Sequence, residues 1–301
     1  MRDFVHFMIG ILYQICARVR ARGIWYTLPR MEHPAIFRRT ELMLGTAALD
    51  ALARTKVAVF GLGGVGSWCA ESLVRSGIGK LLLVDSDRVC ITNVNRQLMA
   101  TTKTAGQVKA DVLAKRLKEI NPLVELDVRQ QIYSPETAVE FALDEYDYVI
   151  DAIDSLDCKA ALIRHALSIP TVTLFASMGA ALKMDPFQIR ATEFRKVEGD
   201  GLARALRTKF KKTGGMPARK FKCVWSPERR ENLGPAGAGC GLGECVCPKD
   251  PGVGESSLAT HEWCSSKARI NGTIAHTTAI FGFALAGLVV QDVERRVREF
   301  S

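Results

Sequence analysis

A compact β run, Lys56–Phe60, leads into a glycine loop, Gly61-Leu-Gly-Gly-Val-Gly66, and the chain leaves that loop as a helix stopped by Gly77. This order constrains the fold more than any other feature of the sequence. The glycines permit a sharp turn and let backbone amides approach phosphate oxygens at a helix N-terminus. The alternation then continues. Lys80–Val84 is a second strand ending at Asp85, and Gly106–Ile120 puts Val108, Val112, Leu113, Leu117 and Ile120 on one helix face before Asn121-Pro122. Val124–Val128 reads as a strand, Pro135–Leu143 as a helix and Tyr146–Ile153 as a strand; the helix Asp157–Leu167 and the strand Thr171–Ala176 follow. Strands alternating with helices at this spacing predict an α/β fold with a doubly wound, mainly parallel Rossmann-like sheet.

After Met184 the pattern changes. Phe187–Thr192 reads as an antiparallel strand, Leu202–Lys211 as a basic helix, Phe221–Trp225 as a strand, Gly234–Ser256 as loop and Gly272–Glu299 as a closing helix. The expected organisation is an N-terminal extension over 1–30, a nucleotide-binding core over 31–183, and a C-terminal part over 184–301 with a basic segment, a Cys-containing loop and the closing helix. The apolar run Phe4–Cys16 is short for a membrane span and lacks the basic start of a signal peptide, so the extension reads as dispensable, the alternative being a membrane-surface helix. Ile274–Val290, interrupted by His276, Thr277 and Thr278, reads as a buried helix; no membrane partner is expected.

Charge and cysteines narrow the class. The net charge is +9, and between Arg190 and Arg230 thirteen Lys or Arg stand against four Asp or Glu, an excess equal to that of the whole chain. Such a segment is an electrostatic footprint for a polyanion, or else a solvated face. Cys69, Cys90 and Cys158 fall in core elements, which suits a reduced, cytoplasmic protein. The tract Cys240-x4-Cys245-x-Cys247-x16-Cys264 fits a four-thiolate zinc site or free thiols in a loop, since it lacks paired CxxC spacing.

The glycine loop (Gly61, Gly63, Gly64, Gly66) with Asp85 and Asp87 after the second strand serves NAD or FAD as well as ATP. The residues that follow discriminate. Asn93-Val-Asn95-Arg96-Gln97 trails that strand, Lys109 lies thirteen residues beyond Arg96, and Asp151-Ala-Ile-Asp154 ends the fourth strand on the same sheet edge. A triphosphate needs forked and compact cations, and its Mg²⁺ needs a carboxylate; hydride transfer needs neither.

These five motifs resemble the ThiF/MoeB family of ubiquitin-activating-like adenylating enzymes over about Phe37 to Gly179. The resemblance implies that the glycine loop and Asp85, with Asp87, hold ATP, that Asn93, Asn95, Arg96 and Lys109 bind it and its phosphates, and that Asp154 holds Mg²⁺. It also implies a homodimer in which a second arginine arrives from the partner; Arg38 and Arg39 are the candidates, with Arg39 the better match. Within the family, Arg39–Gly45, Gly64–Asp87, Thr92–Gln97, Tyr148–Ile163 and Ser177–Ile189 look like the tRNA threonylcarbamoyladenosine dehydratase branch. That branch implies a tRNA carrying threonylcarbamoyladenosine as substrate, ATP and Mg²⁺ as cofactors, Zn²⁺ only if the late cysteines bind it, and a sulfur-relay protein as a further partner. The alternative is an activator of a ubiquitin-like sulfur-carrier protein, ranked second because paired CxxC is absent and the later segment is basic. Neither Cys158 nor Cys223 has an adjacent base in sequence that would equip it for a thioester.

Overall fold

Nearly continuous apolar runs build the sheet, as strands buried on both faces require. In a computed structural model that describes residues 16–21, 24–29, 33–234 and 271–300, the runs become β3 (Lys56–Phe60), β4 (Lys80–Val84), β5 (Glu125–Arg129), β6 (Tyr148–Asp151) and β7 (Thr173–Ser177). Two more strands, β8 (Arg190–Glu193) and β9 (Lys222–Trp225), complete a seven-stranded sheet of order β5-β4-β3-β6-β7-β9-β8. Every pairing is parallel except the edge pair β8–β9. A separate antiparallel ladder joins β1 (Cys16–Ala21) to β2 (Ile24–Pro29), inside the segment 1–30 read as an extension and following its apolar run.

The pleat sends alternate residues to opposite cores. Val57, Val59, Leu81, Leu83, Tyr148 and Ile150 face one side. There they meet α3 (Gly66–Ser76), α4 (Lys109–Ile120) and α7 (Ala275–Phe300), with α2 (Thr46–Arg54) behind them and α1 (Arg38–Leu44) before it in the chain. Ala58, Phe60, Leu82, Val84 and Val149 face the other side, covered by α5 (Leu156–Ser168) and α6 (Gly201–Lys212). Helices on both faces make the sheet doubly wound. The α7 helix is the one described helix long and apolar enough to cross a membrane, and half of its apolar window is buried inside the fold. Its Phe281, Leu285, Ala286, Val289 and Val293 lie in the core, so its apolar composition has a packing explanation.

One expected element is absent. Pro135–Leu143 is not an α-helix but two 3₁₀ turns, Ala138–Phe141 and Leu143–Glu145, separated by Ala142 in the left-handed region at φ 41°. The cause is spacing. Phe141 and Leu143 are buried while Val139 is 82% exposed, so the apolar residues do not fall on one helical face. Phe141 instead packs edge-on against Phe60, at 5.3 Å between ring centroids.

Candidate nucleotide and adenylation site

The sheet reverses its winding between β3 and β6, and ligands of open α/β sheets sit outside the carboxyl ends of the strands at such a point. There the glycine loop folds tightly. Gly61 has φ 85°, and a Cβ on it would lie 2.7 Å from the carbonyl oxygen of Ala152, just past β6. A Cβ on Gly66 would lie 1.8 Å from the Gly61 carbonyl oxygen. Any side chain at either position would break the turn, which leaves a bare backbone cradle at the N-terminus of α3.

Asp85 organises this cradle. Its carboxylate accepts the Leu62 N–H at 2.6 Å and the Asp87 N–H at 2.8 Å, so it holds the loop as well as standing where a ribose would be read. Burial pushes its pKa up, against the pull of Lys109. Lys109 opens α4, only 5% exposed. Its ammonium donates to Asp87 Oδ2 at 2.6 Å and lies 4.0 Å from Asp85 Oδ1. Burial alone would draw the Lys109 pKa down, but Asp85 and Asp87 together hold it above its ordinary value. The juxtaposition is built by the backbone: the Lys109 N–H donates to the Asp87 carbonyl at 3.0 Å, and the Val89 N–H to the Gln107 carbonyl at 2.8 Å.

Arg96 comes from the loop after β4. Its Nη1 donates to the Thr92 carbonyl and to Asn95 Oδ1, both at 3.0 Å, and its own carbonyl accepts the Trp68 indole N–H at 3.1 Å. Burial lowers its pKa, opposed chiefly by Asp154. Asp154 also raises Lys109, so one exposed carboxylate acts on both cations. Asn93 Oδ1 accepts the Cys90 N–H at 3.0 Å, and the Asn95 amide donates to the Thr273 carbonyl at 2.9 Å. The first bond caps the short turn Ile91–Asn93; the second ties the loop to the segment that enters α7.

The structure therefore brings Gly61, Gly63, Gly64, Gly66, Asp85, Asp87, Arg96, Lys109 and Asp154 to one edge of the sheet. Arg39 stands apart on exposed α1, its side chain without a hydrogen bond or ion pair among the described residues, whereas Arg38 pairs with Glu41 at 3.0 Å. Cys240, Cys245, Cys247 and Cys264 lie outside the described residues. Among the described residues no group of three or more His, Cys, Asp or Glu is placed to hold a metal ion. Cys158 is half-buried, and burial pushes the Cys223 thiol up to about 12, so Cys223 is not an activated nucleophile.

The sequence model of the ThiF family matches residues 37–295. The chain belongs to the ThiF family. The chain is similar to a tRNA threonylcarbamoyladenosine dehydratase of Bacillus subtilis, 44% identical over 178 residues that cover 59% of this chain and 70% of that protein. A dehydratase of the same name from Haemophilus influenzae is 40% identical over 259 residues, 82% of this chain and 90% of the relative. Among solved structures, the Escherichia coli tRNA N6-threonylcarbamoyladenosine dehydratase TcdA in complex with ATP superposes with a TM-score of 0.71 at 31% identity, covering 88% of this chain and 96% of that one.

Three further buried polar residues lie near the carboxyl ends of the strands and were not singled out in the sequence. Lys159, fully buried, pairs with fully buried Asp151 at 2.9 Å and donates to the Ile153 carbonyl at 3.1 Å, fixing the turn that carries Asp154. Gln97 is 6% exposed, and its Oε1 has no hydrogen-bond partner among the described residues. Lys183 follows β7 and donates to the carbonyls of Ser226 (2.9 Å) and Glu228, joining the ends of β7 and β9. A signal for Lys159 existed: it shares a helical face with Leu162, Ile163 and Ala166, all buried.

Proposed function

We propose that this chain is an ATP-dependent dehydratase that adenylates the carboxylate of threonylcarbamoyladenosine in tRNA and promotes its cyclisation. The observation that carries the reading is the convergence of Lys109, Arg96 and Asp154 on the bare cradle formed by Gly61 and Gly66. A triphosphate fits that donor set: backbone amides at a helix N-terminus, one compact cation, one forked cation and a carboxylate for the metal. Asp85 and Asp87 are assigned to the nucleoside side of ATP, with Asn93 and Asn95 shaping the loop that presents Arg96. Asp154 is the residue that would hold Mg²⁺, whose charge would offset that of the phosphates.

In the first step a carboxylate oxygen of the substrate bonds to the α-phosphorus of ATP, and the bond to the pyrophosphate oxygen breaks. Lys109 and Arg96 stabilise the charge that develops on the departing pyrophosphate. In the second step a neighbouring nitrogen of the modification attacks the activated carbonyl carbon, and AMP leaves with the original carboxylate oxygen. The ring closes within one substrate molecule, so no enzymic nucleophile is required. The raised thiol pKa of Cys223 accords with this.

Arg39, unengaged on an exposed helix, is the proposed contribution of one protomer to the other's site in a homodimer. Functionally, 31–183 supplies the adenylating chemistry and 184–301 the substrate contacts, where the positive excess between Arg190 and Arg230 suits a polyanion. The free thiols among the described residues suit a cytoplasmic setting, and a sulfur-relay protein remains a proposed further partner. Incubation with ATP, Mg²⁺ and either modified tRNA or a sulfur-carrier protein tests the reading. AMP release is expected with the tRNA; release with the carrier protein alone would overturn it.

A further inference from the structure

The thirteen cations between Arg190 and Arg230 are not equivalent. Arg195 donates to the Pro217 carbonyl at 2.8 Å, and Arg207 to the Phe194 and Val197 carbonyls while lying over the Phe194 ring. Arg219 is bound to the carbonyls of Leu167, Ile169 and Val172, Arg229 to that of Gly199, and Arg230 pairs with Glu228. Four of these guanidiniums tie separate segments of the second half of the fold together, and the fifth, Arg230, pairs locally. Their forks already point at protein oxygens, which makes them poor candidates for phosphate ligands.

The α6 helix differs. Ala203, Leu206 and Phe210 are buried and fix its rotation. Arg204, Lys211 and Lys212 are consequently turned outward, exposed, with no side-chain hydrogen bond or ion pair among the described residues. At i, i+7 and i+8 they share one face over about 12 Å, long enough to follow consecutive phosphates of a nucleic-acid strand. On an adjoining side of the same helix, Lys209 pairs with Asp157 at 2.7 Å, and Asp157 lies three residues past Asp154. This pair ties α6 to the first turn of α5, the helix that follows Asp154. Lys220 and Lys222 sit elsewhere: they line a cleft of about 570 Å³ beside Thr173, at the amino ends of β7 and β9, the opposite edge of the sheet.

We infer that the outward face of α6 is the surface that follows the tRNA backbone and brings the modified adenosine to the Asp154 edge. The inference rests on the proposed tRNA substrate and adds to it the surface that binds it. Three like charges left together without carboxylates serve a polyanion; a solvated stabilising face would intersperse signs along the helix.

The test compares two neutralised variants of the full-length protein, R204A/K211A/K212A and K115A/K220A/K222A, which remove the same charge from different places; Lys115 is exposed on α4, on the opposite face of the sheet from α6. Apparent KM for modified tRNA and for ATP is measured across a salt series. For the α6 variant we expect the tRNA KM to rise about tenfold or more at low salt, with the slope of its logarithm against log salt smaller by about 2 to 3. The ATP KM is expected to move less than twofold. The second variant is expected to keep the wild-type salt slope. An α6 variant that turns over tRNA with unchanged KM and slope would overturn the inference and leave the tRNA reading intact. Equal losses in both variants would overturn it too, since net charge alone would then be acting. If the wild type releases no AMP with modified tRNA, the underlying reading fails instead.

Discussion

Replacing Lys109 with alanine should lower kcat/KM for tRNA-dependent AMP release by about 10²- to 10³-fold, the usual consequence of removing one preorganised charge from a transition state. Lys109 is buried against Asp85 and Asp87 in the structure, at 2.6 Å from the latter, so its position is set before any nucleotide arrives. That preorganisation is what makes the expected loss large. The variant should still fold. Asp87 is 41% exposed and can be solvated, and the Asp85 carboxyl, already pushed up by burial, can take a proton when its cation is gone. Steady-state kinetics beside a thermal melt separate the two effects. A variant with near-wild-type turnover would remove Lys109 from the chemistry, and one that failed to fold would show its role to be structural.

The second large effect is on stability. Lys159→Met should destabilise the protein by about 3–5 kcal/mol, because it leaves the fully buried Asp151 without its cation. For a domain of this size that corresponds to a fall in Tm on the order of 10 °C. Burial already pushes the Asp151 pKa up, against the pull of Lys159, so removing the lysine shifts it further toward the neutral acid. The double variant Lys159→Met/Asp151→Asn removes both charges and keeps an acceptor for the Ile153 N–H, which Asp151 Oδ1 holds at 3.1 Å. It should recover a substantial part of the loss. Equal melting points for the single variant and the wild type would show the pair to be energetically neutral, contrary to the geometry.

Much of this architecture was legible because parallel strands announce themselves. Lys56–Phe60 and Lys80–Val84 match their expected bounds, since runs buried on both faces carry no polar interruptions to blur them. The crossover between β5 and β6 was not legible. Its helical reading relied on propensity over Pro135–Leu143, and the edge-on contact of Phe141 with Phe60, a tertiary feature, outweighs propensity there. The site divides in the same way. Glycine spacing and the positions of Asp85, Arg96, Lys109 and Asp154 could be read from motif order. That Asp85 ties down Leu62, or that Lys159 supports the turn bearing Asp154, depends on distances between segments that no linear pattern records. The basic segment shows the same limit: thirteen cations look alike in sequence, and only their partners separate those that brace the fold from those left facing outward on α6.

The central claim is that the substrate carboxylate is adenylated at the cradle beside Lys109. Threonylcarbamoyladenosine tRNA labelled with ¹⁸O in that carboxylate, turned over with ATP and Mg²⁺, tests it most directly. The account predicts that one labelled oxygen appears in the phosphate of AMP for each ring closed. Label found in inorganic phosphate beside ADP, or AMP released without label, would contradict it.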